Sequence, residues 1–188
     1  MKFNKFFFIN CLGILIFRII DLTTTSFVID DFLMQEQNIL VKVFNLNFFQ
    51  FCIIDIFLAF LLILIYLNSV KNSALFKIKS ITLVCFSKTF LYKKSELTVW
   101  DYFLNMSFQR ALILFGSITP KYIIITSFIF SVNNIWVYLY MENNEQAILY
   151  YNYLSTYYFF DFVIFILPII ILIFLLYKKL KNQFYFYN

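Results

Sequence analysis

Charged residues inside apolar stretches are the first candidates for chemistry in this sequence. Asp55 lies in the first half of the stretch FFQFCIIDIFLAFLLILIYLNS, and Arg18 lies in an earlier apolar run. An ionisable side chain at membrane depth is costly, so it indicates either a proton path or a paired contact. A carboxylate without a second intramembrane acid or a lysine is a poor proton relay, which favours a structural pair for Asp55.

The sequence leaves the partner of Asp55 open. It is a lysine or arginine of a neighbouring subunit, Arg18 of this chain, or a tyrosine hydroxyl or asparagine amide. Asp21 follows Arg18 by three residues, which places the two on one helix face as a local ion pair. Amides at membrane depth often hydrogen bond across helices. The predicted polar contacts within the membrane are therefore Arg18, Asp55, Asn133 and Asn134.

Composition excludes most catalytic chemistry. The 188 residues include no histidine and only two glycines, so a histidine general base and a glycine-rich phosphate loop are both excluded. Cys11, Cys52 and Cys85 form no C-x-x-C pair, which leaves metal and iron–sulfur sites without support. We predict no catalytic residue, no metal and no cofactor, and therefore no enzyme activity for the chain on its own.

The same composition is typical of a membrane protein. Hydrophobic residues make up 63% of the chain and charged residues 13%, against about 45–50% and 25% in soluble proteins. We predict a single all-α membrane domain over residues 1–188, with about four transmembrane helices and an amphipathic interfacial helix in a basic loop. Crossing a bilayer takes about 20 apolar residues, and the predicted spans are residues 6–28 (the weakest), 48–69, 122–141 and 159–177.

The charges of the connections alternate in sign along the chain. The first connection, counted from Asp21 to Asn47, has a net charge of −3, residues 70–121 have +6, the third connection has −2 and the C-terminal tail has +3. Lysines and arginines outside the spans divide 13 to 1 between the two sides. Because basic loops stay on the inner side of a membrane, this pattern predicts four crossings with both termini on the basic side.

The basic connection, residues 70–121, is long enough to contain structure of its own. Its first half alternates only loosely and is consistent with a short strand pair or an irregular segment. In its second half, apolar residues recur with helical spacing, which predicts an amphipathic helix over residues 99–115 at the membrane surface. Thr98 and Asp101 have the spacing of a capping box, and Gly116 stands where a left-handed cap would end that helix.

The basic connection also supplies the predicted docking residues. Its lysines attract anionic lipid headgroups or a partner subunit; alternatively, they only enforce the topology and the apolar stripe is an interfacial anchor. No nucleic-acid partner is expected, because loop topology accounts for the net charge of +5. The residues predicted to bind a partner or a phospholipid such as cardiolipin are Lys77, Lys79, Lys88, Lys93, Lys94, Trp100 and Arg110.

The predicted spans have bulky surfaces. They contain almost no pairs of small residues four positions apart, so close helix–helix crossings are not expected. Polar pore-lining faces and broken helices, which channels and carriers normally have, are also missing from the pattern. These features favour a subunit of a larger assembly.

The amino-acid usage resembles that of a known group of proteins. Phe occurs 28 times and Tyr 14 times, against two each of Gly and Pro, which is the bias that A/T-rich codons produce. With its predicted threading, the chain resembles the small hydrophobic proteins encoded in ciliate mitochondrial genomes, many of which are respiratory-complex subunits. The window Asp55–Leu62 also looks like a helix of the NADH dehydrogenase chain 3 family, although Phe57 stands where that family has an acid.

The resemblance implies a multi-pass protein of the mitochondrial inner membrane with both termini in the matrix. It implies a cofactor-free structural or accessory subunit of cytochrome c oxidase or NADH dehydrogenase, in contact with other membrane subunits and anionic lipids. Two alternatives stay open. In one, Asp55 and Arg18 belong to a proton path in a respiratory complex or an ATP synthase; in the other, the chain is a free-standing small membrane transporter.

Overall fold

Helices form most of the part of the chain that the structure describes. The computed structural model describes residues 5–28, 43–94, 105–142, 145 and 166–187. Within these ranges there are five α-helices and a short 3-10 helix, Ser73–Phe76, and no strand. The α-helices are α1 (Lys5–Val28), α2 (Phe48–Lys71), α3 (Leu83–Tyr92), α4 (Phe108–Met141) and α5 (Leu167–Tyr187).

Three of these helices are long and apolar enough to cross a membrane. The three spans are Lys5–Phe27, Phe48–Lys71 and Phe108–Leu139, in agreement with an all-α membrane protein. The fourth predicted span, residues 159–177, begins outside the described residues. Its second half forms the start of α5, which continues past the lysines to Tyr187. The total of four spans and the orientation of the termini stay predictions.

Helix α1 runs unbroken through the threonines that follow its charged residues. Thr24 and Thr25 donate their hydroxyl hydrogens to the backbone carbonyl oxygen of Asp21 at 2.9 and 2.8 Å. A hydroxyl bonded back to the preceding turn leaves no polar group unsatisfied, so threonine is tolerated inside a membrane helix. Helix α1 therefore reaches 24 residues. That length is roughly 36 Å, enough to cross a hydrocarbon core of about 30 Å.

Helix α2 begins at a capping box of the form Asn-x-x-Gln. The backbone N–H of Gln50 donates to Asn47 Oδ1 at 2.9 Å, and the backbone N–H of Asn47 donates to Gln50 Oε1 at 3.0 Å. These two bonds satisfy backbone donors that have no partner within the helix. The capping box therefore determines where the apolar span begins.

Helix α4 corrects the prediction for the basic connection. Residues 108–115 of the predicted interfacial helix and the predicted span over residues 122–141 are parts of one helix, Phe108–Met141, whereas residues 105–107 are not helical. The predicted start of the interfacial helix, with its capping box, lies outside the described residues. The predicted helix end at Gly116 is wrong. With 34 residues, α4 is roughly 50 Å long, which exceeds the thickness of the hydrocarbon core.

Gly116 lies inside α4 and does not end it. Its role is to allow close packing against a neighbouring helix. A left-handed cap needs a positive φ, and no glycine among the described residues has one. A Cβ atom at Gly116 would lie 2.5 Å from the carbonyl oxygen of Ile65 and 3.0 Å from the Cβ atom of Ser69, both in α2. The missing side chain therefore permits a close approach of α2 and α4, contrary to the expectation from the sequence.

Pro120 lies inside α4 without ending it. Proline has no N–H, and its ring crowds the carbonyl group four residues earlier, which breaks or kinks most helices. Next to it, the hydroxyls of Ser117 and Thr119 donate to carbonyl oxygens of the preceding turn at 2.7 and 3.0 Å. These bonds go to Leu114 and Phe115, and neither goes to the carbonyl oxygen of Gly116, which is the one that Pro120 leaves without a helical N–H partner. Helix α4 nevertheless continues through Pro120 to Met141.

The chain divides into two compact units. Unit 1 comprises Met1–Leu61 and Ile123–Ile170, and unit 2 comprises Leu62–Tyr122 and Ile171–Asn188. Within the spans, 50% of the α4 window is buried, against 17% for α1 and for α2. Helix α4 therefore makes a larger share of the internal contacts than either of the other two spans.

In unit 2, α3 lies in the first half of the basic connection, for which the sequence pattern predicts a short strand pair or an irregular segment. The structure has a helix there instead. The hydroxyl of Thr82 accepts a hydrogen bond from the backbone N–H of Cys85 at 3.2 Å and caps the helix. Lys93, with a left-handed φ of 62°, ends it. Phe86 and Phe90, one turn apart, are fully buried. A single apolar face of helical spacing therefore packs α3 onto the core of unit 2.

The core of unit 2 is formed by aromatic and aliphatic side chains. The rings of Phe76 and Phe90 stack with their centroids 4.6 Å apart. Ile113 and Leu114 of α4 complete the buried cluster. This core joins the 3-10 helix, α3 and α4 within the unit.

Candidate functional site

The buried charges of unit 1 meet at Arg18. Arg18 and Asp21 lie on one face of α1, and Nη1 of Arg18 is 2.9 Å from Oδ2 of Asp21, as the three-residue spacing predicts. Asp55 lies on the buried face of α2, where Phe51 and Ala59 flank it at intervals of four residues. Asp21 and Asp55 are each only 7% exposed. Both carboxylates therefore lie inside the packed helices.

The guanidinium of Arg18 binds Asp55 through two of its nitrogen atoms. Nε donates to Oδ2 at 3.0 Å, and Nη2 donates to Oδ1. A bidentate arginine–carboxylate contact is among the stronger charge-assisted hydrogen bonds because two parallel bonds match the shapes of both groups. Of the partners that the sequence leaves open for Asp55, the structure places Arg18 of the same chain at this position.

Helix α4 contributes a hydroxyl to the same contact. The Ser127 side chain is fully buried, and its oxygen accepts a hydrogen bond from Nη1 of Arg18 at 3.3 Å. Arg18, Asp21, Asp55 and Ser127 are called the Arg18 cluster below. The cluster connects α1, α2 and α4, and it contains two carboxylates and one guanidinium.

A second polar contact connects α1 to α4 within unit 1. Nδ2 of Asn134 donates to Oγ1 of Thr25 at 3.0 Å and to Oγ1 of Thr24 at 3.4 Å. Asn133 makes no hydrogen bond with another described residue. The structure therefore places Arg18, Asp55 and Asn134 in contacts between helices and leaves the neighbouring amide of Asn133 outside them.

These contacts are chemically suited to holding helices together. Among the described residues, no side-chain nitrogen or oxygen that is itself completely inaccessible lacks a hydrogen-bond partner. Because an unsatisfied polar group in hydrocarbon costs several kcal/mol, separating the three helices would be unfavourable. In the same part of the chain, no group of three or more His, Cys, Asp or Glu side chains is placed to hold a metal ion.

Most of the predicted docking lysines lie on the surface of unit 2. Lys77, Lys79, Lys93 and Lys94 are exposed, and Lys88 of α3 is half-buried. Trp100 lies outside the described residues. The surface position of the lysines is compatible with an anionic partner.

Arg110, also predicted to dock, makes contacts within unit 2. Its Nη1 donates to the carbonyl oxygens of Thr89 and Phe90 at 2.8 and 2.9 Å. The guanidinium carbon lies 5.9 Å from the centroid of the Phe90 ring. Carbonyl groups at the C-terminal end of a helix carry partial negative charge, so Arg110 stabilises the end of α3.

Sequence reasoning missed two features of unit 1. Asp21 was assigned only a local pair, whereas its carboxylate shares Arg18 with Asp55. Ser127 was not recognised as a ligand of Arg18. The sequence does contain a pattern that indicates close packing of α4 at Ser127. Ser127 and Ser131 are four residues apart, which is the spacing of small residues at close helix contacts.

The fold and the site define a helical membrane protein whose intramembrane charges pair within the chain. No protein-family model matches this chain, and no similar protein is found among curated sequences or solved structures. The features of this chain that bear on its function are the Arg18 cluster, the surfaces of the helices and the amino-acid usage.

Proposed function

We propose that this chain is a cofactor-free structural or accessory subunit of a respiratory-chain complex in the mitochondrial inner membrane. The Arg18 cluster is the observation that supports a structural role. Arg18 binds both buried carboxylates, so the charges inside the membrane are used to hold α1, α2 and α4 together. The host is cytochrome c oxidase or NADH dehydrogenase.

The outward-facing aromatic residues support a position among lipids and other membrane subunits. Phe6 and Phe8 of α1 are 69% and 60% exposed, and Phe49 and Phe57 of α2 are 73% and 60% exposed. Side chains of this size give a large apolar contact area when a lipid chain or a neighbouring helix covers them. The proposed subunit uses these surfaces for contacts within the assembly.

The lysines of unit 2 and the amino-acid usage support the remaining parts of the proposal. Exposed Lys77, Lys79, Lys93 and Lys94 attract anionic lipid, each contributing about 1 kcal/mol near a charged membrane. The excess of Phe, Tyr, Ile, Asn and Lys over Gly, Pro and Ala resembles the amino-acid usage of mitochondrion-encoded subunits of ciliates and supports the proposed location. The basic side of the membrane, with both termini, is then the matrix side.

Native gel electrophoresis of mildly solubilised membranes, with mass spectrometry of each band, tests this proposal. We expect the chain to co-migrate with one respiratory complex, because a structural subunit stays with its host when the lipid is exchanged for a mild detergent. The co-migrating subunits identify the host. A small band that contains this chain alone would contradict the proposal and favour the transporter alternative.

A proton-path role is a second candidate, and one observation favours it. The Arg18 cluster contains two carboxylates but a single guanidinium, so one acidic group exceeds the positive charge available. A surplus carboxylate inside a membrane is the kind of group that carries protons in pumps. The two candidates differ in what the charge of Asp55 does.

Asp55→Asn separates the two candidates. As a structural residue, Asp55 is expected to affect the amount of assembled complex but to leave turnover per complex unchanged within about twofold, because Asn retains the size and a hydrogen-bond acceptor for Arg18. Loss of proton coupling in a fully assembled complex would instead support the proton path. Glu142→Gln, at an exposed acid, is the control and should change neither quantity.

A further inference from the structure

A cavity of about 230 Å³ lies beside Lys179 of α5 in unit 2. At about 30 Å³ per water molecule, it has room for several waters or for one larger polar group. Helix α2, the 3-10 helix, α4 and α5 all contribute to its walls. The residues that line it with Lys179 include Tyr66, Ser69, Ser73, Phe76 and Ser117.

Lys179 places a positive charge at this cavity without an acceptor for it. The ammonium group is 5.1 Å from the centroid of the Phe76 ring, and it makes no hydrogen bond or ion pair with any described residue. Burial lowers the pKa of Lys179, and the nearby charge of Lys121 lowers it further. A half-buried ammonium without an acceptor is unfavourable, so the cavity favours an anion.

The described residues of unit 2 offer no counter-charge of their own. In residues 62–94, 105–122 and 171–187 there are ten lysines and one arginine, and neither Asp nor Glu. Two hydroxyls at the cavity, those of Ser69 and Ser73, are not hydrogen bonded to a described residue. One ammonium and two hydroxyls therefore face a common space as hydrogen-bond donors.

We propose that the cavity beside Lys179 binds the phosphate group of an anionic phospholipid. The ammonium of Lys179 donates hydrogen bonds to the non-bridging oxygens of the phosphate. Ser69 and Ser73 donate their hydroxyl hydrogens to the same phosphate group. Soluble phosphate has the same chemistry, but a lipid headgroup is the favoured source because the apolar span of α2 ends at Lys71, two residues beyond Ser69. The inference rests on the proposed lipid-binding role and names its site, and it does not depend on the host complex.

Lipid binding to the full chain in non-ionic detergent, measured by native mass spectrometry with phosphatidylglycerol, tests this inference. Lys179→Gln is expected to weaken binding about tenfold, because the site loses its charged donor. Lys178→Gln is the matched control. Lys178 is the adjacent lysine, it is exposed, and it does not line the cavity, so its replacement should weaken binding less than about twofold.

Each outcome supports or overturns the site. If Lys178→Gln and Lys179→Gln weaken lipid binding equally, the lipid is held by non-specific electrostatic attraction and the proposed site is wrong. The proposed accessory function would not be affected by that result. Displacement of the lipid by inorganic phosphate at equal concentration would overturn the lipid as the source. If Lys179→Gln does not fold, Ser73→Ala at the exposed edge of the cavity replaces it, with an expected weakening of about threefold for one lost hydroxyl donor; unchanged binding there would overturn the site.

Discussion

Replacing Arg18 by leucine is expected to destabilise unit 1 by about 3–5 kcal/mol. The replacement leaves the carboxylates of Asp21 and Asp55 without their shared guanidinium, in a location where each is 7% exposed. Two like charges close together in a low-dielectric environment repel, and neither keeps a positive partner in the cluster. The measurement is the free energy of unfolding in mixed detergent micelles, together with the amount of folded chain in the membrane.

Two control variants decide whether pairing is the cause. Lys5→Gln removes a positive charge from the exposed start of the same helix and should cost less than about 0.5 kcal/mol. Replacing Arg18, Asp21 and Asp55 together by leucine should recover much of the loss, because an apolar substitute for a whole buried ion group is often neutral or stabilising. If Arg18→Leu costs no more than Lys5→Gln, the cluster does not hold the helices together.

Replacing Gly116 by leucine is expected to be the most damaging change in unit 2. Even a single Cβ atom would lie 2.5 Å from the carbonyl oxygen of Ile65, and backbone cannot rotate away as a side chain can. Helices α2 and α4 must therefore move apart, and overpacking of this kind costs roughly 1–3 kcal/mol or more. The expected result is a loss of at least about 3 kcal/mol for leucine, measured by the same unfolding experiment.

Replacing each of the two glycines by alanine tests the close contact at Gly116, because the two replacements are expected to change the free energy of unfolding differently. In a helix without a clash, Gly→Ala stabilises by about 1 kcal/mol. At Gly13 the new Cβ would meet only the side chain of Ile124, with Cδ1 at 2.9 Å and Cγ1 at 3.6 Å, and the closer Cδ1 atom moves with a side-chain rotation. Gly13→Ala should therefore be neutral or slightly stabilising, while Gly116→Ala should destabilise. Stabilisation by Gly116→Ala would show that the close contact is not required.

The elements that sequence analysis located correctly are those defined by neighbouring residues. The apolar stretches around residues 6–28 and 48–69 correspond to α1 and α2 because helix formation and membrane burial depend on residues within a few turns. The Arg18–Asp21 pair was also predictable, since three-residue spacing alone places both side chains on one face. The Asn47–Gln50 capping box, which was not among the predicted features, depends on three-residue spacing in the same way.

The elements that it located wrongly depend on a distant neighbour. Gly116 has the residue type of a helix end, and its sequence context contains no sign of Ile65. Pro120 likewise has a residue type that often ends or kinks a helix, yet α4 continues through it. For α3, a short apolar run fits a strand or a helix equally well, and packing against Phe76 selects the helix.

The amino-acid order alone is enough to predict that this protein is apolar, helical and basic in one connection, and that it has charges in its spans. The tertiary structure is needed to show which charges meet, because Arg18 is 37 residues from Asp55 and 109 from Ser127. It also decided that Gly116 is a packing position and that Lys179 faces a cavity. The physical reason is that hydrogen bonds and periodicity within a helix depend on residues one turn apart. Contacts between helices depend on their register and separation, which neither segment specifies alone.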